Sequence, residues 1–411
     1  CLNKHQIRRS WDRRGGSMFT TPAFDVVGIS TAMGSAGKRG RWQSRVRGLP
    51  EFNGELPVSV MAEEMLTAGD DQIRAMVTVA GNPVLSTPNG RQLDDAFADL
   101  EFMVAIDIYI NETTRHANII LPPTTGLETD HYDFAFHILA VRNTAKYSPP
   151  LFEPAAGMLH DWQILRELQT RMNNKRPSTL HRKIARLNVF NKYNPRQILD
   201  LGLRMGPHGA WNKKQRRSDA KLTFRKLKEA PHGIDLGPLQ PMLKERLCTE
   251  NGRVQLAPAV MLDDLFRLKM VLQKEDAGND FPLALIGRRH LRSNNSWMHN
   301  SGRLVRGKDR CTLLIHPDDA EARQVEDGGW VQISSRVGAV NVRVEISDAM
   351  MPGVVSLPHG WGHHRTGVQL RVASQHAGVS VNDLTDDKFL DVLTGNAAFN
   401  GVAVQVQAVD G

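Results

Sequence analysis

The sequence predicts an α/β chain, a doubly wound sheet domain followed by an all-β domain that closes into a barrel. Three observations carry this. Short apolar runs at 75–80, 102–106 and 118–121 alternate with helical segments and stop at Gly, Asp or Pro, the pattern of strands joined by helices. From residue 281 the texture changes to short β-branched runs at 281–287, 311–315, 330–335, 339–346, 353–357 and 402–409, which suit a barrel. With 411 residues, 41% of them apolar, and 34 Gly and 21 Pro, the chain has enough sequence for two or three compact domains with a sizeable core.

Taken in order, 75–80 reads as a buried strand leading into Gly81-Asn82-Pro83. A helix is expected over 92–99, then strand 102–106 with Asp107 at its carboxyl end. A helix from about Asn111 and strand 118–121, stopped by Pro122-Pro123, follow. Over 161–172, Trp162, Ile164, Leu165 and Leu168 fall near helical spacing, with Asp161 placed as the N-cap. Residues 173–280 read as a basic insertion with helical pieces at 195–205 and 220–229. The expected domains are therefore 1–172, 173–280 and 281–411.

The net charge of +8 is local: 171–230 holds 17 Lys and Arg against 3 Asp and Glu. No aromatic platform interleaves that run, so nucleic-acid binding is the weakest reading. Cys1, Cys248 and Cys311 are scattered. They offer neither a disulfide framework nor a Cys-x-x-Cys metal site, and each reads as a buried thiol. The apolar runs are too short to span a membrane and no signal-peptide core opens the chain, so a cytoplasmic location is expected.

Two regions carry the polar chemistry. At the strand ends, Asn82 offers an amide and Asp107 a carboxylate able to accept two hydrogen bonds from a guanine edge. Ordinary turn and helix-cap chemistry explains the same residues and stays open. Further on, Leu285-Ile286-Gly287-Arg288-Arg289-His290-Leu291-Arg292-Ser293-Asn294-Asn295-Ser296-Trp297-Met298-His299 runs from a strand into three arginines and a fan of amides and hydroxyls. That is the chemistry of a grip on a polyanionic, hydrogen-bond-rich ligand. His316-Pro317-Asp318-Asp319-Ala320 reads as a strand end and helix cap. In Pro358-His359-Gly360-Trp361-Gly362-His363-His364 the Pro and Gly residues oppose a helix and no carboxylate is present. The histidines are therefore expected on a cofactor-facing turn or the surface rather than on a metal. Asn382, in Val381-Asn382-Asp383-Leu384-Thr385, suits a ligand with a mixed donor and acceptor edge, and equally a cap for a helix starting near Thr385.

In this order and spacing the latter motifs resemble the cofactor-binding cap domain of the molybdopterin oxidoreductases, the formate dehydrogenase, nitrate reductase and dimethyl sulfoxide reductase group. The passage from Val79 to Pro83, then Asp107-Ile108-Tyr109-Ile110-Asn111-Glu112-Thr113-Thr114-Arg115-His116-Ala117-Asn118-Ile119-Ile120-Leu121-Pro122, resembles that family's nucleotide-binding sheet. The resemblance runs from Arg13 to the end of the chain. It implies a partial doubly wound sheet domain capped by a six-stranded barrel of double-psi type, binding a molybdopterin guanine dinucleotide with molybdenum or tungsten. By position, Asn82, Ile106, Asp107, Thr129 and Asp161 would meet the guanosine and ribose. Gly287, Arg288, Arg289, Arg292, Ser293, Asn294, Asn295, Ser296 and Trp297 would lie over pterin and phosphates, and Asn382 and Asn400 would bond pterin. The family's metal ligand and four-cysteine iron–sulfur site belong to the part that precedes the matched region, and residues 1–12 depart from its pattern. The resemblance thus implies the C-terminal half of a formate dehydrogenase-like enzyme, inactive alone and binding no iron–sulfur cluster, with catalytic residues and substrate unassigned. The alternative is a non-catalytic subunit that pairs with a separate N-terminal half. An electron-transfer subunit is a further expected partner.

Overall fold

The computed structural model describes residues 11–32, 38–175, 192–212, 221–272 and 280–409. Residues 1–10, with Cys1, and much of the basic stretch lie outside them. The chain forms two compact units, Cys1–Ala36 with Pro123–Ala259, and Gly37–Pro122 with Val260–Gly411. This grouping differs from the three consecutive segments expected.

In the second unit a hairpin of β1 (Arg39–Gln43) and β2 (Pro50–Phe52) precedes β3 (Ala75–Val79), β4 (Phe102–Ile106) and β5 (Ile119–Ile120), a parallel sheet in that order. The Met61–Leu66 and Gly90–Ala98 helices supply Ala62, Met65, Leu93 and Phe97 to a core shared with Met103 of β4. Among the described residues only one face is covered. Val77, Val79, Phe102 and Ile119 are each more than 40% exposed, and β3 pairs with β4 alone among the described residues. The strand expected to be buried is thus a half-covered edge. The helix expected from Asn111 is a single 3-10 turn, Thr114–His116. Asn111 Oδ1 accepts the amides of Thr113 and Thr114, both at 3.0 Å, and such side-chain bonds compete with helix propagation.

In the first unit β6 (His131–Tyr132) pairs with β8 (Tyr147–Ser148), and β7 (Asn143–Ala145) with β9 (Ile234–Gly237), both antiparallel. The Pro195–Met205 helix starts on an Asn194/Gln197 capping box. Its Leu199 and Leu203, with Leu222 and Leu227, pack on Tyr132, Ala145 and Tyr147. The described part of the basic stretch thus adds to this unit's core, which is why the grouping does not follow chain order. The second expected helical piece there is Phe224–Lys228, capped by Thr223. Asp161 opens the Asp161–Lys175 helix as its first residue, not as its N-cap, and accepts only the adjacent Trp162 amide at 2.7 Å. Cys248 is exposed, contrary to expectation; Cys311 is buried, and burial pushes its thiol up to about 12.

The remaining strands of the second unit, β10 (Leu283–Arg288), β11 (Thr312–Ile315), β12 (Trp330–Ser334), β13 (Ala339–Ile346), β14 (Val354–Pro358) and β15 (Val402–Ala408), close a six-stranded barrel in the order β10-β14-β11-β13-β12-β15. Strict alternation makes this possible. Val340, Val342 and Val344 of β13 and Val402, Val404 and Val406 of β15 all point into one core with Leu285, Leu313 and Leu357, as a period of two requires. After β11, His316 accepts the Asp318 amide and caps the Pro317–Glu321 helix. No described helix is long and apolar enough to cross a membrane.

Candidate functional site

The loops that leave the carboxyl ends of β3 and β10 enclose a pocket of about 410 Å³, within the range of small-molecule sites. Asn82 stands on the sheet side beside Gly81 and Ser86. The barrel side is built by Gly287, Arg289, Asn295, Ser296 and Trp297, and the floor by Asn382, Phe399 and Asn400. Among the described residues no carboxylate lines it and Arg289 and His359 are its only basic side chains, and Trp297 is 71% exposed, a flat face for a heterocycle. A second hollow of about 430 Å³ shares Arg289, Asn295 and His359 and adds Asn294.

The pocket amides are held by the chain itself. Asn82 Nδ2 donates to Glu112 Oε2 at 2.6 Å and its Oδ1 accepts from Thr113 Oγ1 at 2.8 Å. Asn400 Oδ1 accepts the Gly287 amide at 2.9 Å. Asn382 is fully buried, donates to Leu85 O at 2.7 Å and accepts from Thr385 Oγ1 at 3.1 Å. It ties the barrel to the sheet and caps no helix, since only a 3-10 turn, Val381–Asp383, forms here. An amide has two donor hydrogens and two lone pairs, so each side chain retains capacity towards a ligand.

Half of the residues expected at the ligand stand elsewhere. Arg288 turns across the barrel end, donating to Ser356 O at 2.5 Å and Thr312 O at 2.6 Å, and burial lowers its pKa. Such carbonyl bonds leave it no reach into the pocket. Arg292 lines a separate small cavity, and Ser293 lines both that cavity and the second hollow. Ile106 is fully buried, and its carbonyl accepts the Ala80 amide at 2.9 Å, so its side chain is closed to any ligand. Asp107 is occupied by the amides of Ile108 and Tyr109 and by Asn111 Nδ2, the turn chemistry left open above. Thr129 and Asp161 belong to the other unit.

Sequence reasoning missed a buried chain behind Asn82. His363 Nδ1 lies 2.8 Å from Glu112 Oε1, and His363 Nε2 lies 2.9 Å from His299 Nδ1. Glu112 is 0%, His363 1% and His299 3% exposed, so His363 is neither at the surface nor on a cofactor-facing turn. Burial alone would raise the Glu112 carboxyl, but the hydrogen bond and charge of His363 outweigh it and hold it below the usual range. A second cluster, also unforeseen, joins the same two parts. Arg365 spans Asp94 and Asp383 at 2.7 Å each, with Arg115 and His116 also on Asp94. Burial of Asp94 is outweighed by the His116 hydrogen bond and the charges of both arginines, which bring its carboxyl down to about 2.

Burial, with the charge of His363, pushes His299 down to about 3. Burial with Arg289 pushes His359 down to about 4. Both lie below the unfolded value, so as pH falls beneath 6.5 the unfolded chain takes up protons first and stability is lost. At about pH 5 the expected loss is on the order of 2 kcal/mol per histidine relative to neutral pH. Urea midpoints at about pH 7.5 and pH 5 measure it. Equal midpoints would show that neither ring is held neutral.

Residues 25–171 match the molybdopterin oxidoreductase family and residues 283–403 the molydopterin dinucleotide binding domain. Over these two segments the chain is similar to the molybdopterin oxidoreductases. It is similar to the F420-dependent formate dehydrogenase subunit alpha of Methanocaldococcus jannaschii, 22% identical over 312 residues, 72% of this chain and 40% of that protein. It is also similar to the assimilatory nitrate reductase catalytic subunit of Bacillus subtilis, 24% identical over 317 residues, 75% of this chain and 40% of that one. Acetylene hydratase from Pelobacter acetylenicus shares its fold, with a TM-score of 0.60 at 16% identity over 85% of this chain and 46% of that chain. The chain thus spans less than half the length of these relatives.

Proposed function

We propose that this chain supplies the dinucleotide-gripping part of a formate dehydrogenase-like molybdopterin oxidoreductase, and that the ligand is the guanine dinucleotide form. The observation that carries the reading is the 410 Å³ pocket, free of carboxylates among the described residues, where amides from both the sheet and the barrel surround Arg289. A phosphate-bearing, hydrogen-bond-rich ligand fits that donor set. When bound, the cofactor would supply metal-centred redox chemistry. The chain's own residues orient it: Asn82, Asn382 and Asn400 offer amides to the heterocycles, Asn295 and Ser296 donors to the phosphates, and Trp297 a stacking face. Thr129, Asp161, Asp107 and the Ile106 backbone remain proposed nucleoside contacts on positional resemblance.

On this reading the chain turns nothing over alone and binds no iron–sulfur cluster, because three dispersed cysteines cannot make a four-thiolate site. The open face of β3, β4 and β5 favours completion by further segments of the enzyme, with an electron-transfer subunit as partner.

Arg289 gives the cleanest test, because its guanidinium leans on Asn295 Oδ1 at the rim and is exposed, whereas Asn382 also holds the fold. A charge-assisted bond to phosphate is worth about 1.5–3 kcal/mol, and about 1.4 kcal/mol is a factor of ten. The full chain, produced in a host that makes the cofactor, should release pterin fluorescence on acid treatment, and Arg289→Ala should release about a tenth or less. No pterin from the unaltered chain, or equal amounts from both, refutes the reading.

A further inference from the structure

Apart from the dinucleotide pocket, and sharing no lining residue with it, the barrel loops enclose a cavity of about 20 Å³ against Trp361. Two side-chain atoms in its lining residues, Ser293 Oγ and His299 Nε2, are buried and without a hydrogen-bond partner. The residues are 2% and 3% exposed. Buried polar groups in folded proteins are nearly always bonded, so two orphans lining one cavity point to a guest.

Size and charge together decide its class. A space of about 20 Å³ exceeds the ~10–15 Å³ that one water-sized guest needs, so a small guest fits. Arg292, Lys308 and Arg310 surround it, against one lining carboxylate, Asp309, which accepts the Cys311 amide at 3.0 Å. Lys308 is 3.5 Å from Glu345. Arg310 donates to the carbonyls of Leu304, Val305 and Arg306, which orient its guanidinium without neutralising it. His290 and His376 complete the titratable lining.

His299 ends a buried chain: the Glu112 carboxylate is fully buried against His363, and His363 Nε2 lies 2.9 Å from His299 Nδ1. Burial pushes His299 down to about 3, so its ring is neutral with one N–H, and Nε2, the nitrogen turned away from His363, is the one available to a guest.

We propose that this cavity is a site for one monatomic monovalent anion of chloride size, held by Ser293 Oγ–H and His299 Nε2–H amid the charges of Arg310 and Lys308. The anion closes the chain Glu112–His363–His299 and anchors residues 290–299 from behind, the loop that carries Trp297 on its other side.

Chlorine NMR of the full chain tests this, with thermal melting in chloride and in gluconate at equal ionic strength. Chloride should show excess line width that bromide displaces and sulfate does not, and it should raise the melting midpoint. Ser293→Ala should weaken chloride binding by roughly tenfold, the weight of one charge-assisted bond. Lys308→Ala, on the exposed rim, should weaken it in the same direction and serves if Ser293→Ala folds poorly. Displacement by sulfate, or excess width retained in both variants, assigns the effect to surface cations and overturns the proposal. So does a midpoint and line width indifferent to chloride, which leaves water as the guest.

Discussion

Glu112→Ala should destabilise the chain by about 3–5 kcal/mol, the cost of removing one partner from a buried ion pair. Three things fail together. His363, 1% exposed, loses the carboxylate that meets its Nδ1. Asn82 loses the acceptor of its 2.6 Å bond on the pocket wall. The bond between Glu112 and His363, 251 residues apart, no longer ties the sheet to the barrel. Glu112→Gln separates charge from shape. Its amide can accept from Asn82 and still meet His363 Nδ1, so a loss of about 1–2 kcal/mol is expected. Urea denaturation of the three proteins decides the matter. An alanine variant as stable as the parent would mean that the pair contributes nothing.

Gly360→Ala should be equally severe and should act on the pocket directly. Gly360 has φ +98°, and a Cβ there would lie 2.1 Å from Asn295 O and 2.6 Å from Asn295 C. The obstacle is backbone that cannot swing aside. Left-handed strain of about 1–3 kcal/mol adds to an overpacking cost of about 1–3 kcal/mol, and relief requires the Asn295 segment to move off the pocket. Both stability and pterin retention should therefore fall. Gly401→Ala supplies the control, because Gly401 also has positive φ, +76°, but nothing lies within 4 Å of its Cβ. It should show the strain without the clash. Matching melting midpoints for the two variants would reject the steric argument.

The barrel was legible in the sequence because its signal is local. A strand such as Ala339–Ile346 buries every second residue, and that alternation is written in neighbouring side chains whatever the strand pairs with. The turn at Gly81-Asn82-Pro83 and the loop after β10 were legible for the same reason, as breaks placed at strand ends. Solvent exposure of β3 was not, since an apolar run states a preference and not whether anything covers it. The aims of the arginines were equally closed to reading. Arg288 and Arg289 are neighbours with the same chemistry, yet β10 pairs with β14 through Arg288 and turns that guanidinium across the barrel end, while Arg289 leaves the strand for the pocket. Asn382 reads in the sequence as a ligand or cap residue, and its amide also reaches Leu85, 297 residues away. The sequence alone determined which residue types stand at strand ends, because turn chemistry and alternation act over a few residues. Only the tertiary structure decided which of them line the pocket, because hydrogen bonds and ion pairs join groups hundreds of residues apart and depend on barrel closure and register.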